Sequence, residues 1–134
     1  MEINTRLTKL LTVFSAQAAD VVSANQRVKH YDFMVIQVAT AASTDGTFKI
    51  RGSVDENAVL STAQSATNIW DHLYSYNLDS GIGTAGSTGY AFGASAYAQL
   101  KVNVDEMKVI ALEITGRSAG SYTAKIHGVS VRGS

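Results

Sequence analysis

A chain of 134 residues and 14.2 kDa is one domain by size, long enough to bury about two-thirds of its unfolded surface without covalent staples. It has no Cys, which excludes a disulfide framework, a thiolate zinc site, an iron–sulfur cluster and a cysteine nucleophile. Eleven basic residues balance eleven acidic ones, so there is no net field to gather nucleic acid or an anionic membrane as a partner. Charged residues make up only 16%, below the ~25% of ordinary soluble domains. Ala, Ser and Thr together supply 44 residues, so the surface is small and neutral, and such surfaces tend to associate. No apolar run approaches the ~20 residues of a spanning helix. The start Met1-Glu2-Ile3-Asn4 lacks the basic and apolar regions of a secretory signal, so a leaderless chain is expected.

In residues 1–30 two patterns compete. Leu7, Leu10, Leu11 and Phe14 follow helical spacing, whereas Thr5, Thr8, Thr12 and Val13 are β-branched and favour extended chain. The strand, near residues 8–14, is preferred, and the segment is read as an extended arm contributing one strand. Phe33–Thr40 is a nearly continuous apolar, β-branched run. Asp45-Gly46 separates it from residues 47–54, where Phe48, Ile50 and Val54 alternate with polar residues and Gly52 takes a buried position; a hairpin is predicted.

Residues 55–69 form a long polar loop with room for a helical turn. Residues 70–78 place Trp70, His72, Tyr74, Tyr76 and Leu78 in one phase, a strand with an aromatic face. Residues 80–95 carry glycines at 81, 83, 86, 89 and 93; loops of this length usually bind something or order against a neighbour. Three alternating runs follow, with Leu100, Val102 and Val104, then Ile110, Leu112 and Ile114, then Tyr122, Ala124 and Ile126 on their buried faces. They are predicted to form a meander. Val129 and Val131 fall out of phase with the last run, which predicts a β-bulge at Gly128. Six or seven strands and no clear helix predict an all-β fold, a single antiparallel β-sandwich, jelly-roll-like with long loops, over residues 31–134.

The motifs that resemble catalytic ones lack their context. Gly81-Ile82-Gly83-Thr84-Ala85-Gly86 has dinucleotide-loop spacing, but no helix pattern follows it. Gly116-Arg117-Ser118-Ala119-Gly120 matches a nucleophile elbow, yet a strand follows and no acid occurs after Ser118; a hairpin turn is predicted. His30, His72 and His127 stand singly, with no paired-ligand spacing, so no metal or other cofactor is expected. His72 is read as part of the aromatic face and His127 as facing solvent. Asp55-Glu56 and Asp105-Glu106 lie outside any calcium-loop pattern and read as solvated turn acids. Trp70, Tyr74 and Tyr76, with Tyr90, Phe92 and Tyr97, have the composition of a sugar-stacking platform. Trp70, Tyr74 and Tyr76 at period 2 are instead read as filling the core or an intersubunit contact, with Tyr90 and Phe92 the better candidates for an exposed partner surface.

Thr47-Phe48-Lys49-Ile50-Arg51-Gly52-Ser53, Trp70-Asp71 leading to Leu78-Asp79-Ser80-Gly81, Val102-Asn103-Val104-Asp105 and Gly120-Ser121-Tyr122-Thr123 together carry a resemblance. In layout this part of the chain resembles the small β-sandwich virion proteins of tailed bacteriophages, which include capsid decoration or cement proteins and related head and tail accessory proteins. The resemblance spans most of residues 33–131 and does not cover the first thirty.

It implies a non-enzymatic virion protein, assembled in the host cytoplasm, that packs against major capsid subunits and stabilises the head. A homo-oligomer, with a trimer favoured, is implied as well. Contact residues are then expected in the N-terminal segment, at Leu7, Leu10, Leu11 and Phe14, and in the glycine-rich loop, at Ile82, Tyr90 and Phe92. The alternative is a carbohydrate-binding or host-adsorption module with Tyr90, Phe92 and Trp70 at a sugar site. An enzyme would require His72 or His127 to meet an Asp and a Ser in a cleft.

Overall fold

The computed structural model describes residues 10–131. Eleven antiparallel strand segments form two sheets: β1 (Leu11–Gln17), β2 (Val21–Val22), β3 (Gln26–Arg27), β4 (Phe33–Thr40), β5 (Thr47–Ser53), β6 (Asp71–His72), β7 (Ser75–Asn77), β8 (Gly83–Thr84), β9 (Tyr97–Asn103), β10 (Val109–Thr115) and β11 (Tyr122–Val129). One sheet has the order β1-β11-β4-β9-β7-β8; the other runs β2-β10-β5-β6, with β3 also on β10. No helix occurs among the described residues. The predicted β-sandwich is the observed fold.

Its pairs are nested. β2 and β3 pair with β10, β4 with β9, Phe48 of β5 with Tyr90, and β7 with β8. Successive pairs fall alternately in the two sheets, which is the winding of a jelly roll. The faces are those the period-2 pattern predicts. Met34, Ile36 and Val38, Phe48 and Ile50, Leu100, Val102 and Val104, Ile110, Leu112 and Ile114, and Tyr122, Ala124 and Ile126 form one buried core. At one end of it the Phe48 ring lies 6.4 Å from Tyr122 and 6.3 Å from Phe92. Gly52 has its inward position because Leu73 occupies the space; a Cβ there would come within 2.6 Å of a Leu73 methyl.

Several local expectations are corrected. β4 and β5 are not a hairpin, since they lie in different sheets and the Asp45-Gly46 corner carries the chain across the sandwich. β9, β10 and β11 likewise alternate between sheets and form no meander, so residues 116–121 are a crossing between layers and not a hairpin turn. The strand expected over residues 70–78 breaks into β6 and β7, one in each sheet, which leaves Trp70 buried and Tyr74 exposed. Val54 lies beyond the end of β5 and is exposed.

No bulge occurs at Gly128. β11 stays in register with β4 through Gly128↔Met34 and Val129↔Phe33, and the Tyr31 ring fills the place of the missing side chain. The register shifts fall in β1, between Thr12 and Phe14 and between Phe14 and Gln17, where they distort an edge strand that would otherwise template further pairing. The N-terminal segment contributes more than one strand: β1 joins one sheet, β2 and β3 the other. Residues 8 and 9 of its expected strand lie outside the described residues.

Candidate functional site

β10 is buried on both faces except at its last residue, with Glu113 its one charged side chain. Its inward residues enter the core. Its outward residues Val109 and Ala111 are covered by residues 55–69, which fold as a flap over the second sheet and bury Ala58, Leu60 and Trp70 against them. Asn68 organises the flap from within: its Oδ1 accepts from Val59 N–H, and its Nδ2 donates to Val59 O, Thr62 Oγ1 and Ala63 O. Asn25 Nδ2 donates to Ala58 O at 2.8 Å, and Ser53 Oγ to Ile69 O at 2.7 Å.

Beneath the flap lies the densest group of chemistry-bearing side chains. Arg51 Nε and Nη2 each donate to one oxygen of Glu113 at 2.9 Å, while Arg51 Nη1 donates to Leu60 O at 2.6 Å. His72 Nε2 is 2.7 Å from Glu113 Oε1. The guanidinium carbon stands 4.1 Å from the centroid of Trp70, the His72 ring meets Trp70 edge-on at 5.3 Å, and Trp70 Nε1 donates to Thr62 O. Burial acts to raise the Glu113 carboxyl, but hydrogen bonds from Arg51 and His72 outweigh it and hold the group below its ordinary range. Each partner is spent on another. Arg51, Glu113 and His72 hold the flap to the sheet and open no cleft.

A second polar centre fixes the crossing at residues 116–121. Asp45 accepts from the hydroxyl and N–H of Ser118 and the N–H of Ala119, while Asp20 accepts from the N–H groups of Gly116 and Arg117. The Ser118 hydroxyl, then the Ala119 and Ser118 N–H groups, lower the Asp45 carboxyl to about 2. Tyr122 Oη donates to Asp45 O at 3.0 Å. Ser118 is therefore a hydrogen-bond donor in a braced turn, its hydroxyl given to Asp45, while His72 is bonded to Glu113.

The third feature is the outward face of the six-stranded sheet. Gln37 on β4 and Gln99 on β9 stand opposite each other, as do Ala39 and Tyr97. With Asn77 at the end of β7 and Leu78 and Asp79 of the turn that follows, they line an open concavity of about 730 Å³. Gln37 Nε2 donates to Gln99 Oε1 at 3.1 Å, and Tyr97 is 86% exposed. Further along this face Lys101 Nζ lies 4.0 Å from the Phe33 ring centroid.

The residues expected to contact partners are dispersed. Leu7 lies outside the described residues. Leu10 and Leu11 are exposed, at 45% and 50%, at the start of β1. Leu11 rims a shallow cleft of about 170 Å³ with Arg27, Tyr31, Met34 and Ile126. Ile82 is exposed between β7 and β8. Phe14 is a core residue, and Tyr90 and Phe92, stacked at 5.4 Å, pack against the core, so the exposed aromatic surface expected there does not form. Trp70 is buried and cannot line a sugar site with them. His30 is exposed, His127 half-buried, and no group of three or more metal-ligating side chains converges among the described residues. Sequence reasoning missed the Arg51–Glu113 pair; the available signal was Val109 and Ala111, apolar residues on the supposedly wet side of β10.

Fold and site together define a jelly-roll β-sandwich with its ionic cluster locked beneath a flap. No family model matches the chain, and no curated protein matches it. Among solved structures it is similar to the crystal structure of the SPBc2 prophage-derived protein YomS, at 8% identity and a TM-score of 0.63, covering 89% of this chain and 90% of that one. The likeness is one of fold.

Proposed function

We propose that this chain is a non-enzymatic structural protein of a bacteriophage particle, and within the particle a decoration or cement protein that packs on major capsid subunits and stabilises the head. The observation that carries the reading is the shared jelly roll, extending over nearly the whole of this chain and of a protein described as prophage-derived. Two features of the site support it. The groups with catalytic potential, Arg51, Glu113 and His72, satisfy one another under the flap. The β1 edge carries exposed apolar residues, Leu10 and Leu11, beside the cleft lined by Arg27, Tyr31, Met34 and Ile126. An edge of this kind gives a lattice neighbour an apolar anchor and a place to seat it.

The test is co-sedimentation of the purified chain with heads assembled without it, together with its mass in solution by light scattering. Saturable binding at fixed stoichiometry by an oligomeric chain, weakened at least ~10-fold in the Leu10→Ser/Leu11→Ser double variant, is the expected result. A monomer that leaves heads unbound overturns the reading.

A further inference from the structure

We infer that the concavity on the outward face of the six-stranded sheet is a binding site for a neutral sugar, with the exposed Tyr97 ring as its stacking platform. The inference is independent of the decoration reading, since it concerns a different part of the sheet: Leu10 and Leu11 lie at the β1 edge, whereas this site spans β4, β9 and the turn after β7.

The argument starts from what each lining side chain has left to give. A Tyr with 86% of its surface in water covers nothing and is covered by nothing. It sits opposite Ala39, a small neighbour across the strand pair. Beside it the two amides are already oriented. Gln37 Nε2 donates to Gln99 Oε1, which leaves Gln37 Oε1 as an acceptor and Gln99 Nε2 as a donor with no partner among the described residues. An adjacent donor and acceptor, both on rigid strands, match vicinal hydroxyls that each donate and accept. Asp79 adds a carboxylate that makes no ion pair among the described residues and that can take two hydroxyl donors. Asn77 fixes that turn, its Oδ1 accepting from Asp79 N–H at 2.8 Å.

Size and charge narrow the ligand. About 730 Å³ of open concavity accommodates one or two pyranose rings. An aromatic face takes the C–H side of a pyranose, and planar amides take its hydroxyl edge. Of the cations on this face, Lys101 is drawn over the Phe33 ring, and Lys125 stands directly opposite Gln37 on β11 without lining the concavity. The charged side chain that lines the concavity is the carboxylate of Asp79, which disfavours uronate or sialate.

The experiment is a printed array of neutral oligosaccharides and their uronate- or sialate-bearing counterparts. The best neutral one is then titrated into isotopically labelled protein and followed by amide chemical shifts. Expected are hits among the neutral sugars, shifts confined to residues around 37–39, 77–79 and 97–99, binding at least ~10-fold weaker in Tyr97→Ala and in Gln99→Ala, and affinity within about threefold in Tyr97→Phe. Because Tyr97 is exposed, Tyr97→Ala folds normally, and its thermal unfolding midpoint serves as the control. No array hit, hits only among acidic sugars, or neutral binding that Tyr97→Ala leaves unchanged each overturns the inference. So does loss of head binding in Tyr97→Ala without any sugar bound, since the face would then be a protein contact.

Discussion

Arg51 and Glu113 lie on adjacent strands but not directly opposite; Arg51 faces Ala111 and Glu113 faces Lys49, and the two side chains meet on the diagonal through a two-pronged pair of 2.9 Å bonds. Both are mostly buried, with 13% and 11% of the side chain exposed. Removing one partner strands the other charge, so Arg51→Met is expected to cost about 3–5 kcal/mol. The double variant Arg51→Met/Glu113→Leu should cost less than the sum of the two single changes. Chemical denaturation of the four proteins of the cycle measures the coupling, and additive costs would show that the pair is not coupled.

The flap depends on few contacts, of which Leu60 is the most completely buried. Leu60→Ala is expected to destabilise by about 2–5 kcal/mol. Trp70 is the sole tryptophan and lies under the same flap, so its emission reports the event directly. The wild-type protein should emit as a buried indole, and Leu60→Ala should shift the emission to longer wavelength before global unfolding.

Stability should fall at both extremes of pH, for separate reasons. Asp45 and Glu113 titrate below their ordinary ranges in the folded chain. Their contribution is therefore complete above about pH 4–5 and is lost as pH falls, for Asp45 down to about 2. Tyr122 is shifted the other way, by burial and then by the charges of Asp45 and Asp20. Its contribution is present below about pH 10 and is lost as pH rises beyond that. Unfolding midpoints across pH should show both limbs, and Asp45→Asn should flatten the acid limb between about pH 4 and 2.

Gly116 and Gly120 bound the braced turn at φ +68° and +81°, but only one of them is crowded. A Cβ at Gly116 meets nothing within 4 Å, whereas one at Gly120 would lie 2.3 Å from Thr44 Cα. Gly116→Ala is expected to cost about 1–2 kcal/mol, the strain of the left-handed backbone alone. Gly120→Ala should cost about 3 kcal/mol, because the chain around Thr44 must also move. Equal effects in thermal unfolding would remove the steric part of the argument.

How much was legible can be seen strand by strand. Phe48 and Ile50, Leu100 and Val102, Ile110 and Leu112, and Tyr122 and Ala124 are buried as alternation requires. Their partners were not legible, since alternation names the buried face of a strand and leaves its neighbour unspecified. Asp45-Gly46 looks like a hairpin turn from the residues alone, yet its carboxylate braces a turn some seventy residues away in the chain. Arg51 and Glu113 looked like ordinary solvent-facing positions because nothing local announces that residues 55–69 will fold over them. Tyr97 was visible among the aromatics, but its place on the outward face of the sheet, 86% exposed, was not.

The order of residues by itself determined the class: a cysteine-free, weakly charged chain with period-2 alternation has no economical way to bury its apolar residues except as two facing sheets. Only the tertiary structure decided which strands share a sheet, which polar residues are sealed under the flap and which tyrosine stands in water. The reason is range. Alternation is written between residues two apart, whereas pairing and burial are settled by contacts between segments as distant in the chain as Leu11 and Ile126, formed when the two layers close on each other.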